Sequence, residues 1–326
     1  MEKVAWLFDA DFEKRLFSSQ KLPFISTREN QEFEYLIHFL DPDKTIFTHK
    51  TYSKSYKEFL KKFTQKDFKT TNNRDFLIKP WCSPYTQTDI LKVYQSKLEA
   101  YQILQRHGLL ENNFSLIQKK ENLKENKLYK FAKNSSGRGH YIFPRDKIRL
   151  EKLLDNNEVL IEEEIYQRVL DFSTLIKNGK AVKVYENIVD DHFQYRGTMI
   201  SKDFKLNKEF EKKYQDVQSE IIKMLSDFKG VFSLDSFLYQ KNEQIFLFPI
   251  CEFNMRKTMG YIAYQLQQKY FKEQDYFALV LTRNRKESPQ DHDSLTLLSP
   301  MDNLFYVYAA VAPSELELKK LISTLF

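Results

Sequence analysis

Cysteine, glycine and long apolar runs are all scarce in this chain, and each shortage excludes something. Cys82 and Cys251 are the only two cysteines among 326 residues. Two cannot build a disulfide framework, no Cys/His cluster has zinc spacing, and the pair fits a reducing compartment. No stretch approaches the 18 or so apolar residues needed to cross a bilayer. The opening MEKVAWLFDADFEKRLF puts acids where a signal peptide has its apolar run. A soluble cytoplasmic protein with no membrane partner is therefore expected. One-sided charge is missing too, since 51 Lys and Arg against 45 Asp and Glu leave a net +6 spread along the chain. Tyr and Phe are plentiful but recur at core spacing, so nucleic acid is not an expected partner.

Only seven glycines occur, so their positions are informative. Two lie in residues 133–139 (KNSSGRG), between strand candidates at 128–132 and 141–143. Small residues there let backbone N–H groups approach phosphate oxygens closely, although an ordinary hairpin turn accounts for the same letters. The loop lacks the Lys-Ser/Thr pair of a Walker A loop and is not a G-x-G-x-x-G. Asn178-Gly179 marks a tight hairpin between 171–176 and 181–186.

A length of 326 residues allows two or three packed subdomains around a large core. Strand candidates at 3–9, 45–48 and 76–78 alternate with helical patterns at 11–17, 29–40 and 56–63, which suggests a small open α/β layer. Pro80 and Pro84 punctuate its end. Residues 89–107 read as one strong helix with Ile90, Val93, Tyr94, Leu98, Tyr101 and Leu104 in a stripe and Lys97 off its centre. A strand at 158–161 runs into Glu162, Glu163 and Glu164, which by themselves suit a solvated loop. Helices at 145–154, 217–228, 261–270 and 314–325 and a strand at 276–281 complete the pattern.

The stretch with most chemistry is 232–260, FSLDSFLYQKNEQIFLFPICEFNMRKTMG. Two alternating β-prone runs separated by 240–244 read as a hairpin. Glu252 and Asn254, two apart, share a face of an extended chain. With the connection centred between Glu243 and Gln244, Asp235 lies opposite Glu252, and three oxygen side chains converge. Such a set suits a hard divalent cation, Mg2+ before others, completed by substrate phosphates. Arg256, two beyond Asn254, could reach whatever that ion holds. A solvated hairpin face is the plainer alternative.

Taken in order, these pieces resemble the ATP-grasp superfamily, and more distantly D-alanine:D-alanine ligase. The elements are Pro80-Trp81 with Ser83, Ser96-Lys97, Lys130 followed by Ser135-Ser136-Gly137-Arg138-Gly139, residues 159–162 leading to Asp171-Phe172-Ser173, then Asp235, Glu252-Phe253-Asn254-Met255-Arg256 and Thr258-Met259-Gly260. The resemblance implies an α/β chain of α+β subdomains: an ATP-grasp fold preceded by a Rossmann-like pre-grasp domain over residues 1–88. The grasp itself would cover 89–326, with a lid at about 115–165 and a C-terminal metal-binding subdomain at about 166–326. It implies that Lys97 and Lys130 hold phosphates, that Ser135, Ser136 and Gly137 belong to a loop over the triphosphate, and that Glu162, Glu163 and Ile165 lie at the adenine hinge. Asp171 would meet the ribose, and Asp235, Glu252 and Asn254 would hold one or two Mg2+, with Mn2+ as a substitute. Ser233 departs from the ligases, which place an arginine two before the first metal carboxylate, so Arg256 is the expected catalytic cation.

The activity so implied is an ATP-dependent carboxylate–amine ligase that forms an amide or peptide bond through an acyl phosphate. Its expected partners are small-molecule or peptide carboxylates and amines, with a homodimer left open. A phosphotransferase on the same fold and a nucleotide-binding protein without turnover are the alternatives.

Overall fold

The computed structural model describes residues 2–18, 25–84, 88–109, 114–131, 139–191, 193–285 and 294–326. Its first unit follows the strand–helix alternation of the sequence: β1 (Val4–Leu7), α1 (Phe12–Leu16), α2 (Arg28–Gln31), α3 (Leu36–Leu40), β2 (Ile46–Phe47), α4 (Lys54–Thr64), β3 (Thr70–Thr71) and β4 (Leu77–Pro80). The four strands make a parallel sheet in the order β3-β2-β1-β4, as helical crossovers require. The single helix expected over 29–40 is two: between them the backbone bonds tighten to three-residue turns, Phe33 N–H to Asn30 and Leu36 N–H to Phe33, and Glu32 and Glu34 in those turns have partners elsewhere. Glu32 accepts the N–H groups of Leu304 and Phe305, and Glu34 accepts the hydroxyls of Thr48 and Tyr52.

The long helix expected over 89–107 is also two, α5 (Thr88–Gln95) and α6 (Lys97–Arg106). Ser96 between them is extended, and its hydroxyl accepts the N–H of Glu99 as an N-cap. The break turns Lys97 from the rim of a stripe into a buried residue at the start of α6.

A second, antiparallel sheet in the order β5-β8-β6-β7 comprises β5 (Ser115–Ile117), β6 (Lys127–Phe131), β7 (His140–Phe143) and β8 (Leu160–Glu164). Helix α7 (Lys147–Asp155) covers one face, packing Leu150 and Leu154 on Ile117, Tyr129 and Leu160. By the two-residue period of a strand, Lys130, its register partner His140 and Glu163 leave the opposite face. The acidic triplet is therefore strand, not solvated loop: Glu162 and Glu163 are both buried and paired.

The third sheet has eight antiparallel strands: β9 (Gln167–Lys177), β10 (Lys180–Val189), β11 (Tyr195–Ser201), β12 (Val231–Lys241), β13 (Gln244–Asn254), β14 (Tyr276–Thr282), β15 (Leu295–Leu297) and β16 (Tyr306–Ala312). Helices α8 (Lys208–Met224), α9 (Met259–Tyr270) and α10 (Glu315–Ser323) cover parts of it. Ile262 and Leu266 of α9 share one core with Leu175, Ile200 and Phe277 of the sheet and with Tyr35, Phe39 and Trp81 of the first unit. The β9–β10 turn at Asn178 and Gly179 has the positive φ values its sequence predicts.

The hairpin β12–β13 turns at Asn242-Glu243, both with positive φ, one residue before the expected centre. Continued from Lys241↔Gln244 through Phe237↔Phe248, that register would put Ile250 opposite Asp235. Two extra residues of β13 are taken up between Phe248 and Glu252, so that Asp235 faces Glu252 after all. Pro249 lies in the irregular stretch: it has no N–H for the ladder, β13 is an edge strand, and the Ser236 hydroxyl bonds the Pro249 carbonyl at 2.5 Å.

Candidate functional site

One row of side chains crosses the large sheet: Glu252 of β13, Asp235 of β12, Ser173 of β9 and Tyr185 of β10 are register partners in turn. The Ser173 hydroxyl donates to Asp235 Oδ1 at 2.6 Å, and Asn254 Nδ2 donates to Oδ2 at 2.9 Å. Having given its N–H to Asp235, Asn254 offers a cation its carbonyl oxygen. Burial and the facing Glu252 charge push the Asp235 carboxyl up to about 6. Two carboxylates held this close favour positive charge beside them; Lys97 is the one the chain itself brings to the pair, and a bound cation would add to it. Among the described residues, no three His, Cys, Asp or Glu gather as ligands. The oxygen set here is two carboxylates and one amide, which fits a hard ion that keeps waters.

Basic groups face this row. Lys97 Nζ sits 2.6 Å from Glu252 Oε1. Lys130, almost fully buried, donates to the Tyr101 hydroxyl at 2.9 Å and lies 2.6 Å from Glu163 Oε2. Sequence reasoning missed Arg168, whose Nη1 donates to Asp171 Oδ1 at 2.7 Å. Three residues apart on a regular strand they would point to opposite faces. The β9 ladder, however, skips Val169, with Leu238 opposite Leu170 and Tyr239 opposite Arg168. The guanidinium lies 4.1 Å from the Phe237 ring centre and 4.5 Å from that of Phe193. Burial raises the Asp171 carboxyl, partly offset by Arg168. Asp171, expected to meet a ribose, is thus already engaged.

Arg256 reaches the site by a route other than the one expected. The strand stops at Asn254, and the Arg256 N–H bends back to the Asn254 carbonyl at 2.8 Å. Its side chain crosses to the first unit, where Nε donates to Glu13 Oε1 of α1 at 2.6 Å. Adjacent bonds fix the segment: Met255 N–H to Gln95 Oε1 at 3.0 Å and Lys257 N–H to the Cys82 carbonyl at 2.9 Å. Burial by itself would lower the guanidinium pKa, and Glu13 more than offsets it. Close packing behind the row leaves no room for a side chain at Gly260, where a Cβ would fall 2.1 Å from the Tyr185 hydroxyl.

Lys97, Lys130, Asp171, Asp235, Glu252, Asn254 and Arg256 line one cleft of about 950 Å3 counting its open mouth, together with His140 and Arg168. Glu163 stands just behind Lys130. Glu162 is not brought there: its side chain is on the α7 side, accepting from Tyr129 and Lys124. Ile165 follows β8 and is 40% exposed. Ser135, Ser136 and Gly137 lie outside the described residues.

Several solved structures share this architecture. The chain is similar to N5-carboxyaminoimidazole synthetase from Staphylococcus aureus complexed with ADP, at 12% identity over 90% of this chain and 94% of that one, with a TM-score of 0.56. Biotin carboxylase from Campylobacter jejuni, in a β,γ-ATP complex, aligns at 11% identity over 90% and 88%, TM-score 0.56. N5-carboxyaminoimidazole synthase from Aspergillus clavatus, with ADP and 5-aminoimidazole ribonucleotide, aligns at 12% over 90% and 95%, TM-score 0.54. At such identities the likeness is one of fold. No family model and no curated protein sequence matches the chain.

Proposed function

We propose that this chain, which has the ATP-grasp fold, is an ATP-dependent carboxylate–amine ligase. The observation that carries the reading is the cleft itself, where two facing carboxylates and an amide meet Lys97, Lys130 and Arg256. Solved structures of this fold that contain ADP or ATP support the nucleotide. Asp235, Glu252 and Asn254 would hold one or two Mg2+ ions, which supply positive charge to the polyphosphate.

The protein's own groups do the rest by position and charge. Lys97 and Lys130 are held by Glu252 and Glu163, and each can turn its ammonium to a phosphate oxygen when the nucleotide enters. Arg256, fixed by Glu13 through Nε, has the remaining edge of its fork to orient an acceptor carboxylate. That carboxylate attacks the γ-phosphorus with departure of ADP. The same guanidinium edge then faces the negative charge of the acyl phosphate, from which an amine displaces phosphate.

The test is ADP release over pooled amino acids, small carboxylates and bicarbonate, each with and without amines. Bicarbonate belongs in the screen because the similar structures are carboxyaminoimidazole synthetases and a biotin carboxylase. Release that needs both a carboxylate and an amine is the expected result. Release with an acceptor but no amine, accompanied by a stable phosphorylated product, would replace this reading with a phosphotransferase.

A further inference from the structure

His140 holds a buried ring nitrogen, Nδ1, with no hydrogen-bond partner among the described residues. A buried polar atom left unpaired costs stability and calls for an explanation. The residue opens β7 directly opposite Lys130, so the two side chains leave the same face of the four-stranded antiparallel sheet, and the ring lines the cleft. The charged groups around it come from three other elements: Lys130 of β6, Lys97 of α6 and Arg168 of β9. Each of these cations already has an acid, namely Glu163, Glu252 and Asp171. Nδ1 has no partner among the described residues.

We propose that His140 is a direct ligand of the phosphate arm of the bound nucleotide, a contact that rests on the nucleotide-binding reading above. Three cations converging on an unpartnered donor make a place for a polyanion, and a phosphate oxygen there would accept from the ring. Burial and then the nearby Lys130, Lys97 and Arg168 hold the imidazole neutral, with its pKa well below the ordinary value. A polyphosphate brings several negative charges against the ring, which opposes both the burial and the cations that hold it neutral and favours a second proton, taken from solvent, and a charged donor. Binding therefore takes up a proton, and affinity falls as pH rises.

Calorimetry of MgADP with the whole chain, in two buffers of different ionisation heat from about pH 6 to about pH 8, tests this. Wild-type protein is expected to take up a fraction of a proton and to bind more weakly at the upper end. His140→Ala should bind about tenfold or more weakly at the lower end. His140→Gln, which keeps an amide donor, should recover part of that affinity, and both variants should lose the proton uptake. Wild-type binding without proton uptake, or variants that bind with the wild-type affinity and pH profile, would overturn the assignment while leaving the nucleotide reading intact. No MgADP binding to folded wild-type protein would overturn both.

Discussion

Asp235 bears the largest electrostatic load of any site carboxylate, and that load has a measurable sign. Its folded value of about 6 lies above the ordinary 3.8, so its contribution to stability is present at acid pH and lost as pH rises through the folded value. Without divalent ions, wild-type protein should lose roughly 2–3 kcal/mol relative to Asp235→Asn between about pH 4 and about pH 7. Mg2+ should restore it. Urea melts of both proteins check this, and parallel stability curves would mean that Glu252 and burial exert no such pressure. Arg256 is a second single-residue test. Arg256→Lys keeps the charge but loses the fork that serves Glu13 and the cleft together, so turnover should fall roughly a hundredfold. The dissociation constant for ATP should barely move, and a matched loss of both would reassign Arg256 to nucleotide binding. The type and spacing of Glu252, Asn254 and Arg256 were legible in the sequence. The partner Glu13, 243 positions away, was not, because no local pattern links α1 to the end of β13.

At the scale of elements, the site depends on breaks in regular structure. Ser96 splits a helix whose apolar stripe runs on without interruption, and the Ser96-x-x-Glu99 spacing is a cap signal present in the sequence. Continuous periodicity hid it. The irregular stretch around Pro249 and the skipped Val169 each change which side chains share a face. The first was compensated by a misplaced turn centre, so the expected Asp235–Glu252 pairing holds for a different reason. The second brought Arg168 into the cleft unforeseen. The α9 terminus offers a test of packing behind the row. Gly260→Ala would gain roughly 1 kcal/mol of helix propensity, but its methyl collides with the Tyr185 hydroxyl at 2.1 Å. A net loss of about 1–3 kcal/mol is expected. Thermal melts should show Tyr185→Ala recovering part of it in the double variant, whereas Tyr185→Phe, which keeps ring carbons 2.3 and 2.5 Å from the new methyl, should not. Simple addition of the two single effects would mean that the residues do not touch.

For the whole molecule, the cleft gathers side chains from the four-stranded antiparallel sheet, the large sheet and α6, while the first unit holds Arg256 in place. A ligand that bridges them binds only the folded chain and must stabilise it by mass action: about 2.7 kcal/mol at a hundred times its dissociation constant. Saturating Mg-ATP should therefore raise the melting temperature by several degrees. Glu252→Gln should lose most of the Mg2+-dependent part of that rise, measured against its own melt without ligand, which is lowered by the loss of the Lys97 ion pair. A wild-type melt indifferent to Mg-ATP would sink the nucleotide assignment. The sequence by itself determined what is local: the strand–helix alternation of the first unit, the tight turn at Asn178-Gly179, and the shared face of Glu252 and Asn254. These follow from backbone preferences and a two-residue period that act over a few positions. Only the tertiary structure decided that Lys97 is buried against Glu252, that Arg168 joins Asp171, that Arg256 leans on Glu13, and that His140 stands opposite Lys130 with an Nδ1 that no described residue pairs. Those meetings depend on strand register and on the docking of distant elements, which are set by packing across the molecule rather than by neighbours along the chain.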